Sequence, residues 1–117
     1  MQIRKFEIDG KEIEFVNESR DTYSGFAHDT HLFINGYMYR EATCHYINRT
    51  WERYAFQSVM RKAVYELREA RENYLKDKFK ADNGYKKLTA KRAEEFEAFK
   101  AKDEEVDFYT RLLEELK

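Results

Sequence analysis

The chain has 117 residues and a mass of 14.3 kDa, with 42% hydrophobic residues, 38% charged residues and a formal net charge of −1. This length holds one hydrophobic core and is too small for a two-lobed enzyme, and the composition is neither that of a disordered chain nor that of a membrane protein. A balance so close to neutral argues against both an extended nucleic-acid clamp and a strongly acidic mimic of DNA. No apolar run approaches the roughly 18 residues of a spanning helix, and Met1 to Ile8 alternates charge with hydrophobe where a signal peptide would be continuously apolar. The single cysteine, Cys44, has no partner for an internal disulfide. The expectation is one soluble, cytoplasmic domain over 1–117, β-rich over 1–48 and helical over 50–117.

Phe6, Ile8, Ile13 and Phe15 alternate with charges around Asp9-Gly10, a dipeptide suited to a type I′ turn. A two-residue turn there sets Phe6 opposite Ile13 and Lys5 opposite Glu14, with one apolar side and one solvated side. A polar link over 17–21 then leads to a second hairpin around Asn35-Gly36, which sets Leu32 against Tyr39, Phe33 against Met38 and Ala27 against Cys44. Both faces of this hairpin carry hydrophobes, as in a strand pair placed centrally. The small residues Ala27, Ala42 and Cys44 admit a close helix. The face they share with Tyr23, Phe33, Met38 and Tyr46 is therefore expected in the core, and the face of Phe26, Leu32, Ile34, Tyr37 and Tyr39 is expected to be partly exposed.

After Thr50 the hydrophobic period becomes helical. Thr50 is a good N-cap, Glu52 suits the first turn, and Trp51 can fold back on the sheet. Phe56, Met60, Ala63, Leu67, Ala70 and Tyr74 recur at the spacing of a heptad seam, which predicts packing against another helix or against a second copy of the chain. Asp82-Asn83-Gly84 supplies a left-handed stop near Ala81. Thr89 then caps a second helical segment with Ala93, Phe96 and Phe99 on one face. The stripe fails between Lys100 and Glu105 and resumes with Val106, Tyr109, Leu113 and Leu116. That break marks a kink, a third helix capped by Asp103, or one continuous helix; the chain has no proline to force a choice. The fold class is α+β: a four-stranded antiparallel sheet of two hairpins, then a long helix and a second helical segment forming a helical hairpin.

Charge is segregated along the helical half. Residues 76–92 hold seven basic residues against Asp77 and Asp82, a balance of +5, and residues 94–107 hold seven acids against Lys100 and Lys102, a balance of −5. Such blocks suit basic and acidic surfaces of one partner. Solvated helix faces with scattered i,i+4 pairs are the plainer reading.

The joint between the halves, Tyr46-Ile47-Asn48-Arg49-Thr50-Trp51-Glu52-Arg53-Tyr54, continues to Gln57 and Val59. It resembles a Tyr-x-Asn-Arg-Thr-Trp-Glu-x-Tyr motif of small proteins encoded by bacteriophages and mobile elements of low-GC Gram-positive bacteria, where it runs from strand into helix. The resemblance covers this stretch and none of the remaining chain, and it brings no catalytic role. Small phage proteins that are neither virion parts nor enzymes are often antagonists of host defence. The resemblance therefore implies a stoichiometric inhibitor of a host defence effector, first among them an anti-CRISPR protein acting on a CRISPR nuclease.

Residues with catalytic chemistry do not converge in the sequence. In the register set by the turn, His28 lies opposite Thr43, with Glu41 and His45 roughly 13 Å apart along their strand and His31 on the other face. No metal or cofactor site is expected, nor an enzyme. Cys44 and His45 are strand neighbours that face opposite ways, and no Gly-rich phosphate loop occurs among four glycines. Aromatic residues at 16% exceed what a small core needs, and aromatics with Arg are the usual anchors of protein interfaces. Tyr37, Tyr39, Arg40, Arg49 and Arg53 are the candidate partner contacts, with helix-to-sheet packing and capping as the competing role of each. A minority alternative is a small nucleic-acid-binding module that stacks bases on the aromatic and Arg side of the sheet.

Overall fold

Two tight turns organise the β half. In the computed structural model, which describes residues 2–23, 25–46 and 52–117, Asp9 and Gly10 take φ of 53° and 76°, and Asn35 and Gly36 take 52° and 83°. Both central residues of a type I′ turn need positive φ, which Asp, Asn and Gly tolerate best. The turns close β1 (Gln2–Ile8) on β2 (Lys11–Thr22) and β3 (Gly25–Ile34) on β4 (Tyr37–Tyr46), in an antiparallel sheet of order β1-β2-β3-β4. Helices α1 (Glu52–Asn83), α2 (Ala90–Lys100) and α3 (Glu104–Glu115) follow, so the chain is α+β as its periodicity predicts. The expected roles of Thr50 and Trp51 at the joint lie outside the described residues.

The first hairpin has the expected register, with Phe6 opposite Ile13 and Lys5 opposite Glu14. The expected polar link over 17–21 is instead strand, because β2 and β3 pair along their whole length, Asn17 opposite Thr30 and Glu18 opposite Asp29. Polar residues persist there because they find cross-strand partners. Thr30 Oγ1 donates to Asn17 Oδ1 at 2.9 Å, and Arg20 Nε donates to Asp29 Oδ2 at 2.7 Å.

The second hairpin keeps its turn-set register only beside the turn. Phe33 faces Met38, but an irregularity between Leu32 and Phe33 then places Leu32 opposite Arg40, His28 opposite Cys44 and Ala27 opposite His45. Tyr39 is the extra residue of this β-bulge. The pairs expected from the turn alone, Leu32 with Tyr39, Ala27 with Cys44 and His28 with Thr43, are thus displaced by one, and His31 stands opposite Glu41.

The β2–β3 pairing reverses the expected choice of faces on β3. Ile13, Phe15 and Asn17 stand opposite Ile34, Leu32 and Thr30, and all six are buried. The core is therefore on the Leu32 and Ile34 side; Tyr23 and Met38 are exposed, although Ala27 is buried as expected. Small residues were a poor guide, because the aliphatic and aromatic residues of β2 decide which side of β3 is covered.

The chain groups into two compact units, Met1–Val64 with Leu116 and Tyr65–Glu115 with Lys117. In the first, α1 contributes buried Val59, Met60, Ala63 and Val64. Arg4 Nη1 donates to Gln57 Oε1 at 3.5 Å, while its guanidinium lies 5.3 Å over the Phe6 ring.

The heptad seam holds for the first part of α1 and then fails. Met60 and Ala63 are buried, yet Ala70 and Tyr74 are exposed, and Leu75 and Phe79 are buried in their place. A straight α-helix drifts about 20° per heptad relative to a strict 3.5-residue repeat. The buried and half-buried row Met60, Val64, Arg68, Arg71, Leu75, Phe79 follows the opposite drift. Exposed Tyr65 and Tyr74 are nine residues apart, which puts them on opposite sides of the helix.

In the second unit Leu75, Phe79 and Phe96 form a cluster packed by Tyr85, Leu88 and Val106. Arg71 meets Asp103 while Phe79 meets Phe96, so the chain runs back antiparallel to α1. The stop of α1 is a Schellman motif: Gly84 at φ 67°, Gly84 N–H to Ala81 O at 3.3 Å and Tyr85 N–H to Lys80 O at 2.8 Å. Its hydrophobic contact is Tyr85 edge-on to Phe79, with centroids 5.8 Å apart. The break at 100–105 separates two helices. Asp103 Oδ2 accepts the Val106 N–H at 2.9 Å, a side-chain N-cap.

Candidate protein-binding surface

The turn between β3 and β4 is held on both sides. Asn35 N–H donates to Glu12 O at 2.8 Å, and Glu12 N–H donates to Asn35 Oδ1 at 2.9 Å. These bonds fasten the second turn to the first residues of β2, and so bring the Asp9-Gly10 and Asn35-Gly36 turns to one end of the sheet. A tip fixed in this way loses little conformational entropy when something docks on it.

Three large side chains follow directly. Tyr37 is 76% exposed, Met38 60% and Tyr39 51%. Tyr37 stands opposite Ile34 and Met38 opposite Phe33, and directly opposed residues share a face, so the tip presents large side chains on both sides of the sheet. The bulge adds Tyr39 to this run and bends the strand, as bulges near binding sites commonly do. β4 is also an edge of the sheet.

On the solvated side, Glu12, Glu14, Phe33 and Gly36 line a shallow depression. Glu7 faces Glu12 across the strands, a like-charge pair that costs stability. Lys5 Nζ lies 3.4 Å from Glu14, whereas neither Glu7 nor Glu12 makes a side-chain ion pair among the described residues. The tip is therefore aromatic and sulfur-bearing at its end and acidic on its flank.

Of the five contacts expected from sequence, the structure brings Tyr37 and Tyr39 together on β4. Arg40 is on the same strand, opposite Leu32, and Arg53 is in the first turn of α1, but their side chains lie outside those described. Arg49 lies outside the described residues. Met38 was missed, because its pairing with Phe33 is as the turn sets it but the face the two share is solvated rather than core. Among the described residues no three His, Cys, Asp or Glu side chains gather as metal ligands, and no helix is long and apolar enough to cross a membrane.

The best-ordered charged group belongs to the second unit. Arg71 Nε and Nη2 donate to Asp103 Oδ2 and Oδ1 at 3.2 and 2.9 Å. Glu105 Oε2 lies 2.9 Å from Arg71 Nε, and the guanidinium lies 5.0 Å from the Tyr74 ring centroid. The hydrogen bond from Arg71 lowers the pKa of Asp103, and the same bond raises that of Arg71. This cluster fixes the α2–α3 junction on α1.

Comparison with protein-family models, with curated proteins and with solved structures gives no match.

Proposed function

We propose that the chain is a stoichiometric protein-binding module that docks through the β3–β4 tip onto a basic surface of its partner. The observation that carries this reading is the run Tyr37-Met38-Tyr39, exposed on a turn pinned by two hydrogen bonds. Rigid aromatic residues are the side chains most often found as interface anchors, and Met adapts to uneven pockets. Glu7 and Glu12 beside them favour a partner rich in Lys and Arg. A nucleic-acid strand on the same tip would meet these carboxylates, which repel phosphate, so the sheet-borne nucleic-acid reading is the weaker one.

The resemblance of residues 46–59 points to a host defence effector as the partner, with a CRISPR nuclease first. A nuclease of that kind holds its heteroduplex in a positively charged channel, the type of surface that an acidic, aromatic-tipped hairpin complements. Mixing the purified chain with a guide-loaded CRISPR nuclease on a sizing column with light scattering tests this. Co-elution at a defined stoichiometry that Tyr37→Ala with Tyr39→Ala abolishes is the expected result. Co-elution unchanged by those substitutions removes the tip from the account, and independent elution removes the partner.

A further inference from the structure

The helical half carries a second charged surface with the opposite sign. Lys76, Lys78 and Lys80 end α1, Lys86 and Lys87 lie in the connection, and Lys91 is in the first turn of α2. None of these six side chains makes an ion pair or side-chain hydrogen bond among the described residues, and all are exposed except half-buried Lys80.

The acidic block that follows does not neutralise them. Glu97 pairs with Lys100, Asp103 and Glu105 with Arg71, and Asp107 with Arg111, while Glu95 accepts from Tyr85 Oη at 3.2 Å. Four of the seven acids, Glu97, Asp103, Glu105 and Asp107, thus face Lys100, Arg71 or Arg111 rather than these lysines, and the lysines keep their field. The start of α2 adds to that field, since its first turn holds no acid and Lys91 and Arg92 sit at the positive end of the helix dipole.

Lys86 and Lys87 lie on a fixed turn, and Lys80 and Lys91 lie in the helical turns on either side of it. The Schellman motif closes α1 at Gly84, Tyr85 packs on Phe79, and Arg92 lies 4.1 Å over the Tyr85 ring while its Nη1 donates to Lys87 O at 3.3 Å. The hydrophobes of the turn are used internally: Tyr85 and Leu88 are half-buried against the Phe79 and Phe96 cluster. The turn therefore has lysine charge without an apolar anchor. Lysine is depleted from protein interfaces, which want aromatic cores, and a surface helix needs a free apolar face to enter a membrane. Compact, hydrated ammonium groups suit repeated phosphates.

We propose that the α1–α2 turn is a sequence-independent contact for the phosphate backbone of nucleic acid, separate from the protein-binding tip and not dependent on that reading. The probe is a labelled mixed-sequence duplex of about 20 base pairs, followed by fluorescence anisotropy between roughly 50 and 200 mM salt. Binding of about 10⁻⁴ to 10⁻⁶ M is expected, weakening with salt at a log–log slope of about −0.9 per phosphate contacted. Replacing Lys76, Lys80, Lys87 and Lys91 by Gln should weaken low-salt binding by at least about tenfold and flatten the slope by about 3.6, one phosphate per lysine. Gln at Lys5, Lys11, Lys62 and Lys117 should leave both unchanged. If the quadruple variant loses its helical circular dichroism, the pairs K76Q/K80Q and K87Q/K91Q carry the test, each removing about half of the slope. No duplex binding at low salt, the same slope in the Lys variants, or stronger binding to poly-glutamate or phosphatidylserine vesicles than to the duplex overturns the proposal.

Discussion

Asp103 performs two jobs that substitution can separate. Its carboxylate caps α3 through the Val106 N–H and receives the fork of Arg71. Asp103→Ala removes both interactions, whereas Asp103→Asn keeps a capping oxygen and removes only the charge. Loss of an N-cap costs about 1 kcal/mol. Exposed ion pairs contribute about 0.2–1 kcal/mol, and this one belongs at the upper end, since the side chains are 13% and 30% exposed for Asp103 and Arg71 and the contact is bidentate. Glu105 stays beside Arg71 and limits the cost of the lost partner. The Ala variant should therefore lose about 2 kcal/mol and the Asn variant about 1 kcal/mol, or roughly 8 °C and 4 °C in Tm. Urea unfolding followed by helical circular dichroism, at constant m, measures this. Equal losses for Ala and Asn would mean that the ion pair dominates and the cap contributes nothing. Losses below about 0.5 kcal/mol for both would refute the assignment of this node.

The same residue sets an acid dependence. Folding lowers the pKa of Asp103 through its bond to Arg71, so the ion pair contributes fully above the ordinary carboxylate range and its contribution is lost as pH falls through the depressed value. The stability gap between wild type and Asp103→Asn, measured by urea midpoint against pH, should close in acid; a gap that widens there contradicts the linkage. Gly84→Ala meets no atom within 4 Å, so its cost is that of a side chain at φ 67°, about 1–2 kcal/mol, read as a lower urea midpoint. Thr30→Val removes the buried hydrogen bond to Asn17 and should cost about 1 kcal/mol by the same assay.

What the sequence disclosed tracks the range over which its signals act. Asp9-Gly10, Asn35-Gly36, the Gly84 stop and the Asp103 cap depend on a few neighbouring residues, and each is found where local chemistry places it. The face of the second hairpin depends on which strand lies beside β3, and with 17–21 taken as a link that neighbour was hidden. The bulge at Tyr39 has no marker such as Gly, so the displacement of Leu32 to Arg40 and of the pairs after it could not be read. Ala70 and Tyr74 continue a heptad that a straight helix does not follow, and Leu75 and Phe79 are covered because α2 returns beside them. The exposure of Tyr37 and Tyr39 was legible because large aromatics on a strand next to a tight turn have little core to enter. That the lysines make no ion pair among the described residues was not legible, since it depends on Arg71 and Lys100 engaging the neighbouring acids.

We propose that the Tyr37-Met38-Tyr39 tip delivers stoichiometric binding to a defence nuclease. Titrating the chain into a guide-loaded CRISPR nuclease and following cleavage of target DNA tests it most directly. Cleavage should fall linearly and reach its floor at a fixed molar ratio, and the Tyr37→Ala, Tyr39→Ala chain, folded by circular dichroism, should leave cleavage intact. Undiminished cleavage at molar excess of the wild-type chain, or equal inhibition by the tip variant, would contradict the account.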